Sequence, residues 1–103
     1  APARGERVLD VACGTGLITL AAAGHVGAEG QVTGVDISER MVEAASRRAE
    51  ALDLGNARFL RMDGECLSCA DDSFDLLYCA LGLMYMPEWD YALWEMYRVL
   101  RPG

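Results

Sequence analysis

The chain has 103 residues, of which 52% are hydrophobic and 24% charged, a balance typical of one small globular domain rather than a disordered tail. Its net charge of -7 argues against non-specific nucleic-acid binding, which depends on neutralising phosphates. The longest apolar run, residues 76–87, is shorter than the roughly 20 residues that a spanning helix needs, and the N-terminus has no signal-peptide hydrophobic region.

The chain alternates strand-like and helix-like segments, which predicts an α/β fold of the Rossmann-like kind, a parallel sheet with helices on both faces. We expect the four strands to lie in the order 3-2-1-4. Predicted strands are 7–12, 31–36, 57–62 and 74–80, and predicted helices are 17–23, 38–52 and 88–100.

Sequence signals mark the ends and buried faces of these helices. Gly24 predicts the end of the first helix, and Ser38 is a good N-cap for the second. Residues at three- and four-residue spacing predict the buried stripes. These are Met41, Ala44, Ala45, Ala49 and Leu52 in the second helix, and Leu93, Met96, Tyr97 and Leu100 in the third. Trp89 and Trp94 are interpreted as core or interface aromatics.

The four cysteines do not form a convincing metal or redox site. Cys66 and Cys69 make one C-x-x-C pair, but zinc would need two further ligands and the single histidine, His25, is far away in sequence. Reduced thiols in a cytoplasmic protein are the simpler interpretation, and we predict no metal.

Open parallel sheets bind ligands beyond the carboxyl ends of their strands. The residues there are the glycine-rich turn 13–16, Asp36, Asp63 and the chain from Cys79 onward. The turn can cradle a phosphate or a carboxylate, because it combines glycines with a helix N-terminus. Alone it is a weak signal.

Carboxylates at this edge favour a nucleoside ligand that carries positive charge. Asp36, 20 residues after Gly16, can accept both ribose hydroxyls, with helix capping beside Ser38 as the alternative. Asp10 could face an ammonium group. Asp63 beside Gly64 can read an adenine edge, with an ordinary turn aspartate as the alternative.

Four segments, in order and at matching spacing, resemble the motifs of class I S-adenosylmethionine-dependent methyltransferases. They are residues 8–16 (VLDVACGTG), residues 34–38 (GVDIS) with Met41, residues 62–64 (MDG), and residues 72–75 (DSFD) leading to 86–87 and then 95–103 (EMYRVLRPG). The resemblance covers nearly the whole chain, and residues 81–87 with the last helix are similar to ubiquinone/menaquinone-biosynthesis C-methyltransferases.

The resemblance implies an S-adenosylmethionine site and a role for each matching residue. Gly14, Thr15 and Gly16 would hold the methionine part of the cofactor, with Asp10 near its amino group and Cys79 near the methionine end. Asp36 would bind the ribose. Ile37 would pack on the adenine ring, and Asp63 and Gly64 would recognise its edge. Met41 belongs to the second motif, and Ala12 stands where many members have the first glycine of the turn.

The reaction implied is in-line methyl transfer to a small-molecule acceptor, in which the cofactor carries the reactivity. No catalytic base is predicted, and His25 is interpreted as a surface residue. Met84 and Tyr85 depart from the polar residues expected in that subfamily, which leaves the acceptor open.

The domain, residues 1–103, is expected to be truncated at its C-terminus and to be the cofactor-binding part of a larger enzyme, with little activity alone. An apolar edge at strand four would favour association, and a homodimer is one form that this edge allows. Two alternatives are a degenerate domain that acts as a binding or dimerisation module, and an NAD-dependent oxidoreductase, whose fingerprint would need a small residue at Thr19.

Overall fold

A computed structural model of the chain describes residues 2–64, 67, 69–79 and 89–101, and only the backbone of residues 89 and 90. Its strands are β1 (Arg7–Val11), β2 (Gln31–Asp36), β3 (Ala57–Arg61) and β4 (Leu76–Tyr78), and its helices are α1 (Leu17–Val26), α2 (Glu39–Ala51) and α3 (Trp89–Val99).

The four strands form one parallel sheet in the order β3-β2-β1-β4, which confirms the predicted order. β1 and β2 are central, and their residues alternate between the two faces of the sheet. Val8 and Val32 are paired neighbours that pack against α1 on one face. Leu9 and Val11 face the other way, toward α3.

The helices cover both faces of the sheet, as predicted. α1 and α2 share one face, where Leu20 of α1 meets Ala45 and Ala49 of α2 around Phe59. α3 lies on the opposite face and buries Ala92, Met96 and Val99 against β1 and β2. Every helix therefore stabilises the sheet by removing apolar surface from water. Among the described residues, no helix is both long and apolar enough to cross a membrane.

Two predicted boundaries are wrong, and contacts with neighbouring elements explain both. α1 continues through Gly24 to Val26, because Val26 is buried beside Val8 and Val32 and this packing outweighs the low helix propensity of glycine. β4 is shorter than the predicted 74–80. The N–H groups of Ser73 and Phe74 both bond to the carbonyl oxygen of Val99, so this stretch joins the end of α3 instead of the strand.

The buried stripes of α2 and α3 also differ from those predicted. In α2 the side chains of Ala45 and Ala49 are buried, whereas Met41 and Leu52 are exposed. In α3 Met96 is buried, and Leu100, just after the helix, is half-buried. Leu93 and Tyr97 are exposed, and the small residues Ala92 and Val99 are buried in their place. Trp94 is likewise exposed and stacks on Tyr97, so it is not a core residue.

Candidate functional site

The C-terminal ends of β1, β2 and β3 lie at one edge of the sheet. Backbone hydrogen bonds join the residues that follow these strands. The N–H of Cys13, just after β1, donates to the carbonyl oxygen of Val35 at 2.9 Å. The N–H of Met62, just after β3, donates to the carbonyl oxygen of Asp36 at 3.0 Å. The structure therefore brings the predicted site segments after β1, β2 and β3 side by side.

Asp36 links the end of β2 to the glycine-rich turn. One of its carboxylate oxygens accepts a hydrogen bond from the N–H of Gly14 at 2.9 Å, and the other accepts one from the N–H of Ser38 at 2.9 Å. A carboxylate has about four acceptor positions, so roughly two remain for ligand hydroxyls. The side chain is only half-buried, which leaves those positions reachable.

Most N–H groups of the turn after β1 already have partners within the protein. Those of Cys13, Gly14 and Gly16 donate to the Val35 carbonyl oxygen, the Asp36 carboxylate and the Cys13 carbonyl oxygen. Ala12 has φ of 59° and Gly14 has φ of 58°, both in the left-handed region. A Cβ added at Gly14 would meet nothing within 4 Å, so open space lies beside this glycine. Thr15 lies between the two glycines and accepts a hydrogen bond from Arg48 Nη1 at 3.5 Å through its carbonyl oxygen.

Gly16 serves packing rather than ligand access. Its φ is 87°, and an added Cβ would lie 3.0 Å from both the Ala45 Cβ and the Phe59 ring. Any side chain here would therefore push α2 and β3 away from the turn. The close approach fixes the N-terminus of α1 against α2 and β3.

Asp10 lies beneath the turn rather than at its surface. It is 3% exposed, and its carboxylate accepts a hydrogen bond from the Thr19 hydroxyl at 2.6 Å. Burial raises the pKa of Asp10, the Thr19 hydrogen bond partly offsets this, and the charge of Asp36 raises it further. Thr19 is the site residue that sequence reasoning missed as a contributor. Thr19 lies three residues after Gly16, in the first turn of α1, but no sequence pattern pairs it with Asp10.

Cys13 and Cys79 are placed differently at this edge. Burial, followed by the charges of Asp10 and Asp36, raises the pKa of the Cys13 thiol to about 12. Cys79 follows β4 directly and packs in part against the cluster that contains Leu9 and Val11. The elevated pKa makes Cys13 a neutral side chain at neutral pH, without thiolate character.

The rim of the site carries exposed apolar and acidic groups. Ile37 and Met41, directly after Asp36 and at the start of α2, are 62% and 42% exposed. Asp63 is exposed and Gly64 is buried just after β3. A flat apolar base beside Ile37, with a hydroxyl-bearing group at Asp36, matches the chemistry of this rim, so the residues fit an adenosine. His25, as predicted, is exposed and lies in the last turn of α1, at the far end from the turn.

Residues 8–103 match a family profile described as a methyltransferase domain. A demethylmenaquinone methyltransferase from Geobacillus kaustophilus is 39% identical over 100 residues, which are 97% of this chain and 43% of that protein. The chain thus spans less than half the length of this curated relative.

Solved structures share the same architecture. A SAM-dependent methyltransferase from Aquifex aeolicus superposes with a TM-score of 0.93 at 28% identity, over 99% of this chain and 54% of that one. An arsenic(III) S-adenosylmethionine methyltransferase from Chlamydomonas reinhardtii superposes with a TM-score of 0.91 at 38% identity, over 100% of this chain and 38% of that one.

Proposed function

Since the chain belongs to the family of S-adenosylmethionine-dependent methyltransferase domains, we propose that it is the cofactor-binding part of a larger methyltransferase that acts on a small-molecule acceptor. The observation that carries the proposal is the Asp36 carboxylate, held by the Gly14 and Ser38 N–H groups at the end of β2. Held in this way, Asp36 presents its remaining acceptor positions to two ribose hydroxyls.

Each predicted site residue has a place in this proposal. The open space at Gly14 accommodates the methionine part of the ligand beside the turn formed with Ala12, Thr15 and Gly16. Ile37 and Met41 offer apolar surface to the adenine ring, and Asp63 with Gly64 offers an acceptor and a donor to its edge. Cys79 stands after β4 toward the methionine end.

The charge of the site supports a cationic cofactor. The charge of Asp36 raises the pKa of Asp10, so the two carboxylates act on each other, and a positive charge bound beside Asp36 would be stabilised by both. A pyrophosphate would be repelled by the same carboxylates. When bound, S-adenosylmethionine supplies a methyl group activated by its sulfonium; the residues of this chain orient it and stabilise its charge.

The acceptor that we propose is a quinone-type small molecule, methylated at carbon. Support comes from the demethylmenaquinone methyltransferase of Geobacillus kaustophilus and from one of Staphylococcus epidermidis, 41% identical over 100 residues. Label recovered in menaquinone, after incubation of demethylmenaquinone with methyl-labelled cofactor, would test this acceptor. Label recovered only in other acceptors would reject it. We also propose a cytoplasmic location, which the free thiols of Cys13 and Cys69 support.

The contacts of Thr19 argue against an NAD-dependent oxidoreductase. Thr19 occupies the position where that fingerprint needs a small residue, and it is instead buried and bonded to Asp10.

Parallel titrations of the protein with S-adenosylhomocysteine and with NADH test the proposal. Saturable binding of the first alone supports a methyltransferase, binding of NADH alone would support the oxidoreductase, and binding of neither by the folded chain would favour a module for binding or dimerisation.

A further inference from the structure

Two charged side chains of α3, Glu95 and Arg98, form hydrogen bonds with both backbone polar groups of Leu67. Glu95 Oε2 accepts a hydrogen bond from the Leu67 N–H at 2.7 Å, and Arg98 Nη2 donates one to the Leu67 carbonyl oxygen at 2.9 Å. The two side chains are also paired with each other, through Arg98 Nε to Glu95 Oε1 at 2.9 Å and Nη2 to Oε2 at 3.1 Å. Such a forked pair is rigid, because two parallel hydrogen bonds fix the plane of the guanidinium.

The surroundings of this pair favour the contact with Leu67. The side chains of Glu95 and Arg98 are 18% and 26% exposed, whereas Asp71, which also bonds to Arg98, is 71% exposed. Hydrogen bonds between partly shielded charges are screened less by water and salt than exposed ion pairs. The guanidinium of Arg98 also lowers the pKa of the Glu95 carboxyl, which keeps the pair charged at neutral pH.

Leu67 follows Asp63 and Gly64 closely in the sequence. Met62 is bonded to the carbonyl oxygen of Asp36, and Leu67 is held by α3 and is itself buried among Leu9 and its neighbours in the core. Asp63 and Gly64 directly follow the first of these held positions, and Gly64 precedes the second by three residues. Holding the chain on both sides of Asp63 and Gly64 limits the positions that these two residues can take, and losing the hold at Leu67 relaxes that limit.

We infer that Glu95 and Arg98 are positioning residues that fix Asp63 and Gly64 for recognition of the adenine edge, and that they thereby set the preference of the site for adenine over other purines. The inference rests on the proposed function, because it assigns Asp63 to the cofactor. A fixed carboxylate accepts from the exocyclic amine of adenine. It rejects hypoxanthine, whose carbonyl oxygen would face it without a proton.

The test compares the affinities of wild-type protein, Arg98→Met and Arg101→Met for S-adenosylhomocysteine and for S-inosylhomocysteine. Arg98→Met keeps the aliphatic stem and removes the donors. Arg101 is a matched control, since it lies at the same end of α3 but pairs with Asp75 at 2.9 Å. We expect the wild type to prefer the adenine ligand about tenfold or more, and Arg98→Met to lower this ratio at least about threefold, with Arg101→Met unchanged.

The outcomes separate this inference from the proposed function. Lack of S-adenosylhomocysteine binding by the folded wild type, or binding that Asp36→Ala leaves unchanged, would defeat the proposed function. Binding that depends on Asp36 but shows no purine preference, or a preference that Arg98→Met leaves intact, would overturn the positioning role alone. A purely structural role would lower the unfolding midpoint without changing the ratio.

A ligand-free measurement keeps the inference open to refutation if Arg98→Met does not fold. Arg98→Lys retains the charge but cannot form the fork. We expect hydrogen exchange of the Leu67 amide to be slow in the wild type and at least tenfold faster in Arg98→Lys, with Arg101→Lys close to wild type. Equal exchange rates in the two lysine variants would contradict the grip on Leu67.

Discussion

The hydroxyl of Thr19 donates a hydrogen bond to the carboxylate of Asp10 across 2.6 Å, inside the interface between α1 and the sheet. This contact joins the end of β1 to the first helical turn after the glycine-rich loop. It also supplies a partner to a carboxylate that is 3% exposed. The charge of Asp10 therefore acts on the site from beneath the turn.

Replacing Asp10 with asparagine should remove a loss of stability that the wild type suffers as the pH rises. The folded state raises the pKa of Asp10 above its ordinary value, with burial as the main cause. Between the two values the folded chain binds more protons than the unfolded chain, so this group costs stability as the pH rises. We expect the stability of Asp10→Asn, relative to wild type, to increase from pH 3 to pH 7.

Urea unfolding at a series of pH values measures this difference. Glu29→Gln is the control, because Glu29 lies on the exposed loop before β2 and its replacement should give a profile parallel to wild type. If the profile for Asp10→Asn also runs parallel to that of the wild type, burial does not raise the pKa of Asp10.

Replacing Ala12 with glycine should stabilise the protein. Ala12 has φ of 59°, and this conformation destabilises a folded residue with a Cβ by about 1–2 kcal/mol. Glycine avoids this strain, but its greater freedom in the unfolded chain lowers the gain in stability by about 0.4–1 kcal/mol. We expect a net gain of about 0.5–1 kcal/mol in the free energy of unfolding. Ala44→Gly, in the middle of α2, should lose about 1 kcal/mol instead. A loss in both variants would contradict the strain at Ala12.

Replacing Gly14 with alanine should weaken cofactor binding beyond any effect on stability. The φ of 58° strains the new residue, and its methyl group would occupy the open space beside the turn. Gly5→Ala is a matched control, since Gly5 also has a positive φ of 82° with nothing within 4 Å but lies before β1. Both variants should lose similar stability, whereas only Gly14→Ala should raise the Kd for S-adenosylhomocysteine, by about tenfold. Equal Kd values would place the ligand elsewhere.

The sheet order, and the meeting of the strand ends at one edge, were predictable because they follow from local patterns. β1 and β2 carry valines or leucine on both faces and are buried on both faces, as central parallel strands are. Ser38 caps α2 through a hydrogen bond to the Met41 N–H, as its residue type predicted. Once the strand order was assigned, the edge with Asp36 and Asp63 followed from topology alone.

The sequence did not predict correctly which residues of α3 are buried, and it did not predict which side chains bind each other. Tyr97 and Leu93 fit a helical period as well as Ala92 and Val99 do, and hydrophobicity favoured the larger residues. In the structure the smaller residues Ala92 and Val99 are the ones that join Leu9 and Val11 in the core. The contacts of Thr19 with Asp10, and of Arg98 with Leu67, join residues whose distance in space no single-chain pattern encodes.

The most direct test of the cofactor site is calorimetric titration with S-adenosylhomocysteine of wild type, Asp36→Ala and Glu39→Ala. Glu39 is the matched control, an exposed acid at the first position of α2. We predict saturable binding that Asp36→Ala weakens by about 1.5–3 kcal/mol, the contribution of hydrogen bonds to a charged group, and that Glu39→Ala leaves near wild type. Equal affinity in the folded Asp36→Ala variant, or no binding by the folded wild type, would contradict the account.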